Sequence, residues 1–194
     1  MKRRVGSKSP WGKVQNSQPI TEGVELVSTE GHGGLKVARA QNARIPAPLR
    51  RAGGWYEEDA EASIVLWALY DASIAETFGA SRDRHAETVR AYYPDAWTAA
   101  TGEPVTREQS QLIAQREDEV RYAGRIVART AWGSWHARVP AGCVGVYCTP
   151  VGGGVNAGSY WLADDSRYRR ERAECSLGYL IDPLVDRPWD GPHA

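Results

Sequence analysis

Two short segments concentrate the groups most able to do chemistry. In Gly31-His32-Gly33-Gly34 a histidine stands among glycines. Consecutive glycines let backbone N–H groups converge on an anion, and an imidazole titrates or ligates metal near neutral pH. In Gly53-Gly54-Trp55-Tyr56-Glu57-Glu58-Asp59 flexible backbone leads into acid, and with Glu61 four carboxylates fall within five positions. On a helix opening at Trp55, Glu57 and Glu61 share a face, as do Glu58 and Glu61. His32, Glu57 and Glu61 then form a ligand set for a hard or borderline divalent cation. In a metal-assisted hydrolase His32 would be ligand or general base, with Glu57, Glu58 and Glu61 supplying carboxylates. Gly31, His32, Gly33, Gly34, Trp55, Tyr56 and Asp59 make up the candidate binding surface. The same residues also fit plainer roles: a tight turn with an exposed histidine, and carboxylates that complement a helix dipole.

Other chemistry fails on residue type. The paired histidines of a zinc-protease helix are missing, and Gly152-Gly153-Gly154 lacks the lysine and hydroxyl of a phosphate loop. There is no Gly-x-Ser-x-Gly elbow. Cys143, Cys148 and Cys175 are odd in number and form no CxxC pair, so they read as core residues in a reducing compartment. Arg121, Arg125 and Arg129 form a ridge if they share a helix, and Arg167, Arg169, Arg170 and Arg172 cluster. Lys plus Arg and Asp plus Glu both total 24, so no whole-chain field attracts nucleic acid or anionic membrane. The apolar run Ile64 to Tyr70 is too short to span a bilayer. Polar residues follow the basic Lys2, Arg3, Arg4 and Lys8, which does not suit a secretory signal. The expectation is a cytoplasmic protein without membrane contact, able to touch nucleic acid through its basic N-terminal arm. Eight Trp and nine Tyr against one Phe favour surfaces that bind partners.

These groups must be positioned by a mixed fold. Residues 1–10 read as a disordered basic arm, 11–182 as a single α+β domain, and 183–194 as a proline-rich surface tail. Ile20 to Thr29 and Leu35-Lys36-Val37 predict a β hairpin with His32 at its tip. Trp55 to about Tyr70 predicts a helix with Glu57, Glu58 and Asp59 in its first turn. Helices follow over Ser81 to Tyr92 and from Pro94 to Gly102. Thr106-Arg107-Glu108-Gln109 matches a capping box, opening a helix to about Arg129 with Leu112, Val120, Ala123 and Val127 inward. Trp135 to Val139, Cys143 to Thr149 and Ser159 to Ala163 predict strands, and Asp165 to Ala173 a short helix. An N-terminal β hairpin, central helices and C-terminal antiparallel strands argue for α+β over an alternating α/β fold.

Trp11-Gly12, Gly31-His32-Gly33-Gly34, Trp55-Tyr56-Glu57-Glu58-Asp59 and Val139-Pro140-Ala141-Gly142 occur in an order that resembles an uncharacterised domain family of phages, plasmids and other bacterial mobile elements. The resemblance runs from about Trp11 to Tyr168. It implies an accessory protein in the host bacterial cytoplasm that binds a host macromolecule, above all a protein, to counter host defence. A metal-assisted hydrolase of phosphodiesters, with a divalent ion as its cofactor, is the alternative, and a DNA-binding accessory protein a further one.

Overall fold

Period-two patterning builds the first sheet. The computed structural model describes residues 4–154 and 158–193. β3 (Asn16–Thr21), β4 (Val24–Ser28), β5 (Gly33–Val37) and β6 (Trp55–Glu57) form an antiparallel sheet in the order β3-β4-β5-β6. Cross-strand pairs Val24↔Val37, Leu26↔Leu35 and Leu35↔Tyr56 put an apolar row on one face. That row joins Ile64, Val65, Val89 and Trp97 in the core. The opposite face carries Gly34 and Glu57, themselves a register pair. Pro19 sits in the edge strand β3, where a missing donor is tolerated.

The α+β class holds, with an N-terminal hairpin, central helices and C-terminal antiparallel strands. Backbone contacts gather the chain into two compact units, Met1–Leu112 and Ile113–Ala194, within which the span 11–182 is divided.

Residues 4–10 are not a disordered arm. β1 (Lys8–Ser9) pairs with β2 (Gly12–Lys13), and Gly6 N donates to Val14 O at 2.8 Å. The cause is Trp11: its indole covers Gly34 and meets Trp55 edge-on, with ring centroids 5.4 Å apart. Residues 1–3 of the expected arm lie outside the described residues.

The helix expected from Trp55 starts later. Tyr56 pairs with Leu35 in the sheet, and α2 (Ala60–Ala68) begins only after the acidic run. Glu57 and Glu58 therefore lie outside a helical first turn. Tyr56, Ala60 and Ile64 keep helical spacing, but strand pairing and complete burial of Tyr56 decide its conformation. α1 (Arg39–Asn42) and α3 (Ala72–Phe78) are additional helices. α4 (Arg82–Tyr92) is capped by Ser81, which accepts from Arg84 N at 3.2 Å. α5 (Pro94–Thr101) has Pro in its first turn and left-handed Gly102 after its end, as expected.

The Thr106 capping box exists but closes a short 3-10 turn, with Thr106 N donating to Gln109 Oε1 at 3.0 Å. α6 (Gln111–Arg121) then stops well short of residue 129. Gly124 takes φ 78°, and the β-branched Ile126-Val127 opens β7 (Ile126–Trp132). Ala114 and Asp118 are the buried face of α6, whereas Leu112 and Val120 are exposed. Arg121 is helical and Arg129 stands in a strand, so no single helical ridge joins them.

In the second unit β7, β8 (Cys143–Pro150), β9 (Ser159–Asp164) and β10 (Arg187–Pro188) form an antiparallel sheet ordered β10-β9-β8-β7. Val144, Val146 and Cys148 face a core with Ala163, Tyr179 and Ile181. α7 (Asp165–Glu171) follows β9, capped by Asp164. Residues Trp135 to Val139 are a turn, not a strand: His136 N bonds Gly133 O at 3.0 Å and Val139 N bonds His136 O at 2.9 Å. The proline-rich segment from 183 is tied to the sheet. β10 closes the sheet edge, and buried Asp186 accepts from Tyr179 OH at 2.8 Å, Arg167 Nη1 at 3.2 Å and Asp182 N at 2.8 Å.

Candidate metal centre

The antiparallel register of β5 and β6 assembles the site. Gly34 is opposite Glu57, and Glu58 N donates to Gly33 O at 3.1 Å. His32, one residue earlier in the β4–β5 turn, is thereby carried to the acidic end of β6. His32, Glu57 and Glu58 each offer a ligand atom, and these atoms all lie within 4.8 Å of one another. His32 and Glu58 are exposed and Glu57 is half-buried.

Local bonds hold each ligand. Thr29 N and Oγ1 both donate to His32 O at 2.8 Å, and His32 N returns a bond to Thr29 Oγ1 at 3.3 Å. Gly33 is glycine because the Glu58 carboxylate lies against it: a Cβ there would stand 2.5 Å from Glu58 Oε2. At Gly34 a Cβ would stand 2.2 Å from Tyr56 O and 2.4 Å from the Trp11 ring. The Gly-Gly pair thus seats a carboxylate and an indole side by side.

Glu61, expected as a ligand, is engaged elsewhere. It pairs with Arg51 Nε at 2.7 Å and accepts from Glu57 N at 3.2 Å. Both partners of the ion pair are about one-third exposed, which limits it to ~1 kcal/mol. Burial pushes the Arg51 guanidinium down, but the Glu61 bond and charge outweigh it and leave the group raised. Arg51 also lies over the Tyr93 ring at 5.1 Å. Burial, then the Glu61 charge, raises the Tyr93 phenol. Glu61 therefore positions the backbone of Glu57.

The remaining expected residues divide. Asp59 N donates to Glu57 Oε2 at 3.0 Å, and the Asp59 side chain makes no cap bond to α2. Tyr56 is a core pillar: its hydroxyl donates to Asn42 Oδ1 at 2.8 Å and accepts from Arg51 N at 3.0 Å. Burial raises its phenol. Trp55 carries Lys36 Nζ 5.1 Å from its ring centroid, while Lys36 also donates to Gly53 O. Gly31 is exposed with no neighbour near its Cα side. Sequence reasoning missed Thr29, Arg51 and Asn42, whose parts depend on strand register and carry no motif.

The cysteines follow the alternation expected of β8. Cys148 is buried, its thiol pushed up to about 12 by burial and then by the Asp186 charge, while Cys143 on the other face is half-buried. Among the described residues no helix is long and apolar enough to cross a membrane.

No curated protein and no solved structure matches this chain. A family model, described as a domain of unknown function (DUF7007), matches residues 4–123. The match takes in Trp11, His32 and the acidic run, and leaves Val139 to Gly142 outside. It spans more than half of the 194 residues, and the chain belongs to that family.

Proposed function

We propose that the N-terminal unit binds a divalent cation at His32, Glu57 and Glu58 and uses it to hydrolyse a phosphodiester. The observation that supports this is the approach of three ligand atoms to within 4.8 Å of one another. One imidazole and two carboxylates suit a hard or borderline ion. Three protein ligands leave positions open for water and a phosphate oxygen. The ion would lower the pKa of that water and stabilise charge at the phosphorus. Arg51 and Glu61 hold Glu57 in place without touching the ion. Calorimetric titration of Mn²⁺ into the full chain tests the site. One ion per chain is expected, with binding at least tenfold weaker in Glu57→Gln and Glu58→Gln. No saturable binding refutes the site. Binding without metal-dependent cleavage of a bis-aryl phosphodiester refutes the enzymatic half.

A second reading is a phage or mobile-element accessory protein acting in the host bacterial cytoplasm by binding a host protein, to counter host defence. It is favoured by exposed large side chains, among them Tyr92 (60% exposed) and Trp135 (77%). A pull-down from host lysate should return one stoichiometric partner, and recovery of none under several conditions counts against it.

A further inference from the structure

We infer that the C-terminal sheet presents a stacking platform for a short stretch of single-stranded nucleic acid. The rings lie on the face opposite the core. Along β8, Val144, Val146 and Cys148 point inward. Alternation therefore sends Cys143, Gly145, Tyr147 and Thr149 to the other side. There Tyr147 registers against Tyr160 of β9, with ring centroids 5.0 Å apart. Gly145 registers against Trp132 of β7. Trp189, whose N donates to Tyr160 O, brings its ring to 6.0 Å from both Tyr160 and Trp132. His136 continues the array, 6.5 Å from Trp189. All five rings are half-buried, none fully.

Glycines make room for this array. A Cβ on Gly145 would stand 2.4 Å from the Trp189 ring. One on Gly158 would stand 2.1 Å from Tyr147, and one on Gly191 3.0 Å from Tyr160. Three backbone positions are thus kept bare where three rings close on them, Trp189 meeting Tyr160 edge to face and Tyr147 tilted against Tyr160. A core would not need rings on the outer face, and scattered surface aromatics would not need bare backbone beneath them.

Charge selects the occupant. At one end of the β8 row Arg187 Nη2 reaches Cys143 Sγ at 3.8 Å. At the other, Arg129 Nε donates to Thr149 Oγ1 at 3.0 Å. Cys143 to Thr149 spans about 20 Å at the rise of a strand. Of the nearby acids, Asp164 is engaged as the cap of α7, and Asp190 is exposed beside Trp189. Half-exposed aromatic rings between two guanidiniums match bases between phosphates, a base stacking on whichever ring turns its face outward. A platform of this kind stacks two or three bases. The bases of a duplex are not available to it.

The full chain in EDTA, which silences the metal site, is titrated against a fluorescein-labelled oligothymidylate of about ten nucleotides, read by anisotropy. Micromolar binding is expected. Its logarithm should fall with log salt at a slope near −1.4, as two phosphate contacts require. Tyr160→Ala and Trp189→Ala should each weaken it about fivefold or more, and a self-paired hairpin should not compete. Arg187→Glu alters only an exposed side chain, so it must weaken binding even where a ring variant unfolds. Absence of binding at low salt, unchanged affinity in a folded Tyr160→Ala, or tryptophan quenching by neutral oligosaccharide but not by the oligonucleotide would each overturn the assignment.

Discussion

Replacing Gly34 by alanine separates architecture from ligation, because its neighbour Gly33 offers the control. The new methyl at Gly34 would stand 2.2 Å from Tyr56 O and 2.4 Å from the Trp11 ring. That is roughly 1–2 Å inside ordinary contact on both sides. One obstacle is backbone and the other a ring wedged between Gly34 and Trp55, so neither rotates away. Relief requires β5 and β6 to spread, or Trp11 to leave Gly34 and Trp55. Overpacking of this kind costs ~3 kcal/mol, at the upper end of the usual range. For a unit of this size that lowers the melting temperature by about 10–20 °C. At Gly33 the nearest obstacle is Glu58 Oε2 at 2.5 Å, the far end of a flexible side chain, with Val27 O next at 3.0 Å. Gly33→Ala should therefore melt much closer to wild type while displacing one of three ligands, weakening Mn²⁺ at least tenfold. Paired melts by circular dichroism and calorimetric Mn²⁺ titrations decide it. A Gly34→Ala chain melting within about 2 °C of wild type would refute the packing, and unchanged Mn²⁺ affinity in Gly33→Ala would refute Glu58 as a ligand.

Other expectations follow from buried polar groups. His85 is buried with Nε2 unpartnered, and burial lowers its pKa. Below about pH 6.5 the unfolded chain takes up a proton that the native state resists. Stability should thus fall from there towards the depressed native pKa, and His85→Gln should flatten that slope in pH-dependent denaturant melts. Tyr56→Phe strands Asn42 Oδ1 and Arg51 N, costing ~2 kcal/mol by urea unfolding; a loss near zero would show the hydroxyl idle. Asp186→Ala leaves Arg167 and the Tyr179 hydroxyl without their shared partner and should cost ~3 kcal/mol or more. In native-state alkylation Cys143 should react well before Cys148, whose thiol sits at about 12; mass spectrometry of the peptides reads the order.

Local signals carried the parts of the fold that depend on neighbours in sequence. Ser81 before α4, Pro94 and Gly102 around α5, and the apolar alternation of β8 behave as their chemistry requires. Failures cluster where distant pairing outweighs local pattern. Tyr56 keeps helical spacing to Ile64, yet its ring fills the space beneath Leu35 and Asn42 takes its hydroxyl. Arg129 keeps helical spacing to Arg121 until Gly124 breaks the run. Arg187-Pro188 looks like a tail, since nothing adjacent reveals that β9 lacks a neighbour. Of the candidate site the sequence shows the residue types, while the approach of His32, Glu57 and Glu58 to one another is set by strand register, which the two motifs leave open. A helix from Trp55 would align Glu61 with Glu57, whereas the strand leaves it to Arg51. The aromatic array was visible only as a surplus of Trp and Tyr, because its order is written in register.

The pairing Gly34↔Glu57 has a consequence for how this chain tolerates change. The connection from Ala38 to Gly54 joins the two strands and packs against them through Asn42, Ile45, Leu49 and Arg51. Lengthening it costs little closure entropy, about 0.6 kcal/mol per doubling. A single residue inserted inside β5 or β6 does something different. It reverses which face every later side chain meets. Tyr56 would turn to water, Glu57 would enter the apolar core, and His32 would face a different partner. Insertions should therefore be mildest at exposed positions of the linking segment such as 47–48 and disabling inside β5 and β6, a difference that an insertion scan of residues 33–58 would draw directly.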